Sequence, residues 1–143
     1  MNVSQKCQYA LRALFELAKR LGEGLVPNGE IAAAQAIPPR FLELILGQLR
    51  QAGYIESRRG VHGGYMLAVR PEELSVGEVI RLIDGPTAPV KCIAGNGGGD
   101  CPLHGRCVFL GLWERANEAV SEVYDSTSFR DLLERERQAA GQR

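Results

Sequence analysis

A change of hydrophobic period within residues 28–68 constrains the fold of this chain more than any other feature. Residues 28–51 carry two short helical patterns that Ile37-Pro38-Pro39 separates. Pro39 suits the first turn of the second helix, because the N–H that proline lacks would have no helical partner there. The apolar face of that helix recurs at α-helical spacing and consists of Leu42, Ile45, Leu46 and Leu49. Two short helices joined by a tight break predict a helix-turn-helix.

The pattern changes from helix to strand after Gly53. Residues 54–57 (YIES) and 65–68 (YMLA) predict two strands, joined by a loop that holds Gly60, Gly63 and Gly64. A hairpin directly after a helix-turn-helix is the wing of a winged helix, with Arg58 and Arg59 at its tip. We therefore expect a mainly α protein: a winged helix-turn-helix with a small β-hairpin wing.

Helical patterns also flank this unit. A first helix is predicted from about Ser4 to Leu21, and Asn28 is the candidate N-cap of the helix that follows. Ser75 and Glu78 fit a capping box at the start of another helix, with Val76, Val79, Ile80 and Ile83 as its buried face. Ser128 is predicted to cap a last short helix over residues 129–138, and residues 141–143 are predicted to be disordered.

A long helical pattern follows Cys107, and its apolar surface is unusually wide. Two adjacent apolar lines run along it, formed by Leu110, Trp113, Val120 and Tyr124 and by Leu112, Ala116, Ala119 and Val123. This width exceeds what one small winged helix can cover, so we expect a partner helix from a second copy. The predicted division of the chain is residues 1–85 for DNA binding, 86–108 for a cysteine-rich loop, and 109–143 for dimerisation and a C-terminal helix.

Three cysteines lie in the glycine-rich stretch VKCIAGNGGGDCPLHGRC, at Cys92, Cys101 and Cys107. Thiolates are the soft ligands that hold zinc, copper(I) or iron–sulfur clusters. His104 lies in the same stretch and would complete a tetrahedral zinc site of three cysteines and one histidine. A disulfide between Cys101 and Cys107 under oxidising conditions is a third interpretation.

Charge is balanced overall but unevenly distributed. Residues 1–66 carry a net +3 and residues 67–143 a net −3, so the first half is the better candidate for a surface that faces phosphate. No apolar stretch reaches the roughly 18 residues that span a bilayer, and the N-terminus does not resemble a secretion signal. We expect a cytoplasmic protein, in which cysteines more often bind metal or catalyse than form disulfides.

The outer face of the second helix of the helix-turn-helix would present Arg40, Glu43, Leu44, Gly47 and Gln48. Arginine suits phosphate or guanine, and glutamate can accept from cytosine N4. In the wing, Arg59 suits a narrow minor groove, where the negative potential is enhanced, and Arg58 and Gly63 complete the candidate DNA-binding set. Each charge taken singly is typical of a solvated surface, but the ordered set favours double-stranded DNA.

These segments resemble one bacterial family. The stretches QYALRALFELA, QLRQAGYIESRRGVHGGYMLA and VGEVIRLIDG, with the three-cysteine loop and the tryptophan-bearing helix, are similar to the winged-helix iron–sulfur regulators that include the IscR, NsrR and RirA types. The resemblance covers about residues 1–133 and is most specific in the RGxxGGYxL wing and the cysteine spacing. It implies that Cys92, Cys101 and Cys107 ligate a [2Fe–2S] or [4Fe–4S] cluster. It also implies that Arg59 enters the minor groove and that Arg40 and Glu43 contact the operator.

The chain departs from the family pattern at the fourth cluster ligand. The position of the family histidine, three residues after the third cysteine, holds Leu110 here, and the position of the family's acidic ligand, which comes from the first helix of the partner subunit, holds Gln8. His104, Cys7 and Gln8 are the candidates that the sequence leaves open, although Cys7 is rotated about 100° from Gln8 around the helix. The family's polar residue after the operator-contacting glutamate is Leu44 here, so no member's operator preference transfers.

The sequence thus predicts a homodimeric DNA-binding transcriptional regulator that senses redox, iron, nitric oxide or cluster status through an iron–sulfur cluster. The alternative is a zinc-stabilised or thiol-redox DNA-binding regulator without a cluster. An enzyme is not expected, because no acid/base pair or activated nucleophile is apparent and the chain holds only two histidines, His62 and His104.

Overall fold

Six α-helices and one two-stranded hairpin make up the chain in a computed structural model that describes residues 2–95 and 101–142. In chain order they are α1 (Gln5–Lys19), α2 (Asn28–Gln35), α3 (Pro39–Gln51), β1 (Ile55–Arg58), β2 (Gly64–Leu67), α4 (Val76–Asp84), α5 (Leu110–Asp125) and α6 (Phe129–Gly141). Two single-turn 3₁₀ helices occur at Pro71–Glu73 and Lys91–Ile93. The predicted mainly α, winged helix-turn-helix architecture is confirmed.

The helix-turn-helix forms as predicted, with one correction at the start of α2. Asn28 is the first helical residue and not the N-cap; Pro27 takes that position with φ −62° and ψ 148° and offers no side-chain hydrogen bond. After α2, Ala36 turns the chain in the left-handed conformation, and its N–H donates to the carbonyl of Ala32. Pro39 lies in the first turn of α3, as predicted. The four apolar residues of α3, Leu42, Ile45, Leu46 and Leu49, are all fully buried.

The wing is shifted by one residue from its predicted bounds. β1 begins at Ile55 and extends through Arg58, which pairs with Gly64 of β2. Arg58 therefore lies within the strand, and the prediction that it sits at the tip is wrong; Arg59 alone of the two is in the loop. Val26 forms an antiparallel bridge with Tyr65, with N···O distances of 2.8 and 2.9 Å, and this bridge fixes the wing against the segment before α2.

The core lies between α1, α3 and the start of α6. Leu14 and Leu17 of α1 pack with the buried face of α3 and with Phe129, the first residue of α6. Leu21, predicted as the last residue of the first helix, lies beyond it and is exposed, because α1 ends at Lys19. On the surface, Lys19 Nζ lies 3.1 Å from Glu136 Oε1 of α6. The C-terminal helix thus packs back onto the N-terminal one.

Two capping boxes begin α4 and α6, as the sequence predicts. Ser75 accepts from the N–H of Glu78 at 3.2 Å, while the Glu78 carboxylate accepts from the N–H of Ser75 at 2.9 Å. Ser128 and Asp131 repeat the arrangement in α6. The helix α6 continues to Gly141, so the prediction of disorder is wrong at that residue; Arg143 lies outside the described residues. In α4, Val79 and Ile80 are buried, whereas Val76 and Ile83 are half-buried.

α5 differs from the other long helices because none of its 16 residues is buried in this single chain. It is held to α4 by an ion pair between Arg81 Nη1 and Asp125 Oδ1 at 2.8 Å. Thr87, in the segment after α4, lies 3.5 Å from Asn117 Oδ1 and 3.4 Å from Ser121 Oγ of α5. Within residues 2–95 and 101–142, no helix is both long and apolar enough to cross a bilayer.

Candidate DNA-binding surface and cysteine segment

The wing, α3 and the start of α2 frame an open cleft of about 450 Å³. Glu43, Gly47 and Arg50 line it from α3, and the wing contributes residues 57–60 and 63–65. Three arginines, Arg50, Arg58 and Arg59, therefore face the cleft against one carboxylate. An excess of positive charge in a concave surface suits the phosphate backbone of a nucleic acid.

Four of the six residues predicted to bind DNA line this cleft: Glu43, Arg58, Arg59 and Gly63. The other two, Arg40 and Gln48, lie on α3 outside the lining, with Arg40 exposed and Gln48 half-buried.

Sequence reasoning missed Arg50 and Asn28, which also line the cleft. Arg50 Nη1 donates to Ser57 Oγ of β1 at 3.3 Å and so links α3 to the wing. The sequence held a signal for Arg50, because it follows Glu43 by seven residues, which places both on one helix face. Asn28 Nδ2 is buried and has no hydrogen-bond partner among the described residues. Its position at the cleft depends on the turn before α2, which carries no local signal.

Gly63 shapes the wing. A Cβ built at Gly63 would collide with the carbonyl oxygen of Arg58 and lie 2.9 Å from the Gly60 oxygen. Gly64 is equally constrained, since a Cβ there would lie 2.6 Å from the Val26 carbonyl. Two close backbone approaches therefore require the glycine pair of the wing motif. These approaches place Arg59 and the strand that carries Arg58 at the edge of the cleft.

The cysteine segment lies between α4 and α5. Cys92 is in the 3₁₀ helix Lys91–Ile93 and is half-buried, Cys101 is exposed, and Cys107 is half-buried three residues before α5. All three thiols are free. Cys92 and His104 line one cavity of about 490 Å³, together with Leu110, Glu114 and Glu118 of α5.

The donor chemistry of this segment fits a soft metal or an iron–sulfur cluster, because three free thiols occur within 16 residues of the sequence. The described residues do not include three or more His, Cys, Asp or Glu side chains gathered closely enough to hold a metal ion. The match between this segment and a metal or cluster therefore rests on the chemistry of the thiols and on the position of the segment between α4 and α5.

The three candidates for a fourth ligand differ sharply in environment. Cys7 is fully buried in α1; this burial, with a smaller contribution from the charge of Asp84, raises the pKa of its thiol to about 12. A neutral thiol is a poor ligand, so this environment argues against Cys7. Gln8 is exposed on α1, and its Nε2 donates to the carbonyl of Val3 at 3.2 Å. His104 is exposed and shares the cavity with Cys92.

Large apolar side chains stand exposed on and just before α5. They are Val108, Phe109, Leu112 and Val123. The rings of Phe109 and Trp113 stack with their centroids 6.2 Å apart, so these two aromatic residues form one continuous patch. A contiguous apolar surface of this kind is typical of a protein interface.

A helix-turn-helix, a glycine-shaped wing and an arginine-lined cleft between them define a winged-helix DNA-binding protein. The model of a family described as "Rrf2: Iron-dependent Transcriptional regulator" matches residues 3–135. The chain belongs to this family, and the resemblance found in its sequence is confirmed.

Curated relatives carry two different regulator names. The chain is 36% identical to the HTH-type transcriptional regulator CymR of Bacillus subtilis over 132 residues, which cover 92% of this chain and 89% of CymR. It is 34% identical to the HTH-type transcriptional regulator IscR of Aliivibrio salmonicida over 133 residues, which cover 93% of this chain and 77% of IscR. The chain is thus a transcriptional regulator and not an enzyme, as predicted.

Solved structures show the same two kinds of relative. T. potens IscR superposes with a TM-score of 0.79 at 32% identity and covers 97% of this chain and 90% of its own. CymR, described as the global cysteine regulator of B. subtilis, gives a TM-score of 0.74 at 35% identity and covers 92% and 95%. Regulators of both names therefore share the fold of this chain.

Proposed function

We propose that this protein is a homodimeric regulator whose affinity for its operator depends on an iron–sulfur cluster held by Cys92, Cys101 and Cys107. The observation that carries the proposal is three free thiols, none of them buried, in the one segment that joins the winged helix to the exposed helix α5. When bound, a cluster supplies chemistry that responds to oxidants, nitric oxide and iron supply. We place this regulator in the cytoplasm, where it binds double-stranded DNA.

DNA binding is assigned to the cleft and the outer face of α3. In this arrangement α3 enters the major groove, with Arg40 and Glu43 in its first turns nearest the base edges. Arg59 extends from the wing loop toward the adjacent minor groove. Arg50 holds β1 against α3 through Ser57, so the wing and the helix meet the DNA as one unit.

Dimerisation is assigned to α5. No residue of this 16-residue helix is fully buried in the single chain, and isolated helices of this length are marginal in water, so its exposed apolar side chains need a cover. A second copy of α5 supplies that cover, with Leu112 and Val123 at the contact, and places two winged helices on a two-fold operator. Since the cysteine segment leads directly into α5, a change at the thiols alters the start of the dimer helix and thereby the spacing of the two α3 helices.

The central experiment compares the protein purified without oxygen, its metal-free form, and the variant Cys92→Ala. We expect a brown protein that contains iron and sulfide, and operator affinity by gel shift that differs between the loaded and the other two forms. Cys7→Ala is the matched control, because it removes a cysteine outside the segment and should keep colour and affinity. Equal operator binding by all three forms would refute cluster-dependent regulation.

The fourth ligand is tested with His104→Ala and Gln8→Ala. His104 is the better candidate, because it shares a cavity with Cys92, whereas the Gln8 amide bonds to the backbone of its own chain. We expect His104→Ala to change the visible spectrum or the iron content, and Gln8→Ala to leave both unchanged.

The dimer is tested by analytical ultracentrifugation of Leu112→Glu. A carboxylate in the α5 contact should convert the protein to monomers, whereas Leu21→Glu, which adds the same charge at another exposed leucine, should leave a dimer. A wild-type monomer at micromolar concentration would contradict the assignment.

A regulator without a cluster is the second candidate. It is favoured by the relation to CymR, since one solved relative is Staphylococcus aureus CymR in an oxidised form, at 35% identity. In this chain the exposed Cys101 and the half-buried Cys107 would supply a reversible disulfide, or the segment with His104 would hold zinc. A colourless protein that contains zinc, or one that loses two thiols on mild oxidation with a change in operator affinity, would establish this candidate instead.

A further inference from the structure

Two large apolar side chains are exposed on α3: Phe41 at 39% and Leu44 at 72%. Phe41 is partly covered by contacts within the chain. Its ring meets the ring of Tyr9 edge to face with centroids 5.6 Å apart, and the guanidinium of Arg12 lies 4.8 Å from the Tyr9 ring centroid. Phe41 therefore packs against α1, whereas the structure gives no such partner for Leu44.

Leu44 lies near the part of α3 that is farthest from the core. At about 100° per residue, it points roughly 150° away from the mean direction of the four buried residues of the helix. Arg40, one turn earlier, follows the same outer line, and Glu43 lies beside it. Gly47, one turn later, carries no side chain, so it leaves Leu44 unshielded. An approaching surface that meets Arg40 and Glu43 must also meet Leu44.

The chemistry of Leu44 limits what it can recognise in DNA. An aliphatic side chain makes no hydrogen bond, so it cannot select guanine, cytosine or adenine as arginine, glutamate or asparagine do. The 5-methyl group of thymine is the apolar group that base edges offer in the major groove. Contact between Leu44 and that methyl group removes apolar surface from water and so favours binding.

We propose that Leu44 is a specificity-determining residue that contacts the 5-methyl group of one thymine in each half of the operator. The proposal rests on DNA binding by α3 and adds to it a base preference that the arginines and Glu43 do not supply.

The test uses the full-length protein and an operator selected with it from random double-stranded DNA. Each thymine of the selected site is replaced in turn by deoxyuridine, which removes only the methyl group. Affinity is measured by fluorescence anisotropy at fixed salt. We expect one thymine per half-site at which the replacement weakens wild-type binding about four-fold, the factor for one buried methylene-sized group. Leu44→Ala should bind that thymine site and its deoxyuridine form equally.

Leu44→Met is the second variant; it keeps an apolar side chain of similar size and should keep the sensitivity to the methyl group. Wild type and Leu44→Ala that respond alike to every deoxyuridine would overturn the role of Leu44 while DNA binding stands. Failure of the wild type to select any DNA would instead refute the DNA-binding function on which the proposal rests.

Discussion

Gly47 is a glycine in the middle of α3 that the fold itself does not require. A Cβ built there meets no atom within 4 Å, and glycine in a helix interior costs about 1 kcal/mol relative to alanine. Gly47 therefore lowers the stability of α3, and no contact within the described chain requires it. Gly47 lines the cleft, and the DNA contact proposed above explains the glycine, since it lets DNA approach the helix more closely.

We predict that Gly47→Ala raises the free energy of unfolding by up to about 1 kcal/mol and weakens operator binding. Urea denaturation and anisotropy titration measure the two effects separately. Gly141→Ala, which also adds a methyl group in open space on a helix but outside both the cleft and α5, should leave DNA affinity unchanged. Unchanged operator affinity in Gly47→Ala would show that α3 does not approach DNA along this line.

Cys7 should be distinguishable from the three segment cysteines by reactivity. Because burial raises the pKa of its thiol to about 12, almost none of it is thiolate at neutral pH, and the thiolate is the reactive form. In the reduced, metal-free protein we predict three thiols that react promptly with a disulfide reagent and a fourth that reacts only on unfolding. In Cys7→Ala the prompt count should stay at three and no fourth should follow. Four equally fast thiols would contradict the buried environment.

Single residues were predictable from the sequence where local spacing decides their position. The buried side of α3 followed from its period, because four apolar residues at helical spacing have one way to face a core. Arg58 was misplaced, because its position depends on the pairing register with Gly64, a property of two strands together.

At the scale of elements, the start of α6 depends on one carboxylate. Hydrogen bonds from the N–H and side chain of Ser128 lower the pKa of Asp131, so the folded protein favours the charged form. The resulting stabilisation is fully present above the ordinary aspartate pKa of about 3.9 and is lost as the pH falls through the lowered folded value.

We therefore predict that Asp131→Asn destabilises the protein at neutral pH and that its deficit relative to wild type narrows below about pH 4. Urea unfolding at a series of pH values measures this. Glu134→Gln on the same helix is the control, since it removes only an exposed pair with Arg130 at 3.3 Å and should change stability little. A deficit that stays constant down to low pH would show that the charge of Asp131 is not involved.

Element boundaries were less predictable than element types. The sequence placed the end of the last helix near residue 138, but no breaker precedes Gly141, and the intervening alanines favour continuation. α2 was predicted to start with Asn28 as its cap, whereas the fixed φ of Pro27 already supplies the extended cap conformation. Capping boxes were located correctly because their signal is three residues long.

At the scale of the whole molecule, Ser4 joins the beginning of α1 to the end of α4. Its Oγ accepts from the N–H of Cys7 at 3.0 Å and donates to Asp84 Oδ1 at 2.5 Å, and its own N–H donates to Asp84 Oδ2 at 2.8 Å. Asp84 is the last residue of α4, directly before the chain turns toward the cysteine segment.

We predict that Ser4→Ala lowers the free energy of unfolding by about 1 kcal/mol, the usual cost of a lost N-cap. Asp84→Ala should also destabilise, and the double variant should lose less than both together, because the two residues share their hydrogen bonds. A urea-denaturation double-mutant cycle measures the coupling. Strict additivity would show that the cap and the link to α4 act independently.

Long-range contacts are the part of the architecture that sequence patterns did not supply. Neither the bridge between Val26 and Tyr65 nor the return of α6 onto α1 has a local signature, since each depends on how separate elements pack. For the same reason the spacing of the cysteines named candidate donors but not their relative positions. The cleft was predicted in part, because Glu43 and the wing arginines lie on adjacent elements of one motif.

The attachment of α5 to α4 has a consequence for how such regulators diversify. The Arg81–Asp125 ion pair joins α4 to α5, and a hydrogen bond of 2.9 Å from Val76 N to Thr127 O joins the start of α4 to the turn after α5. Neither contact uses a cysteine. The two helices that flank the segment are therefore held together independently of what the segment contains. Because closing a longer loop costs only slightly more entropy than closing a shorter one, the length and composition of the segment can change at little cost in stability. Under the function proposed above, such changes alter the sensor and leave the winged helix and its attachment to α5 unchanged.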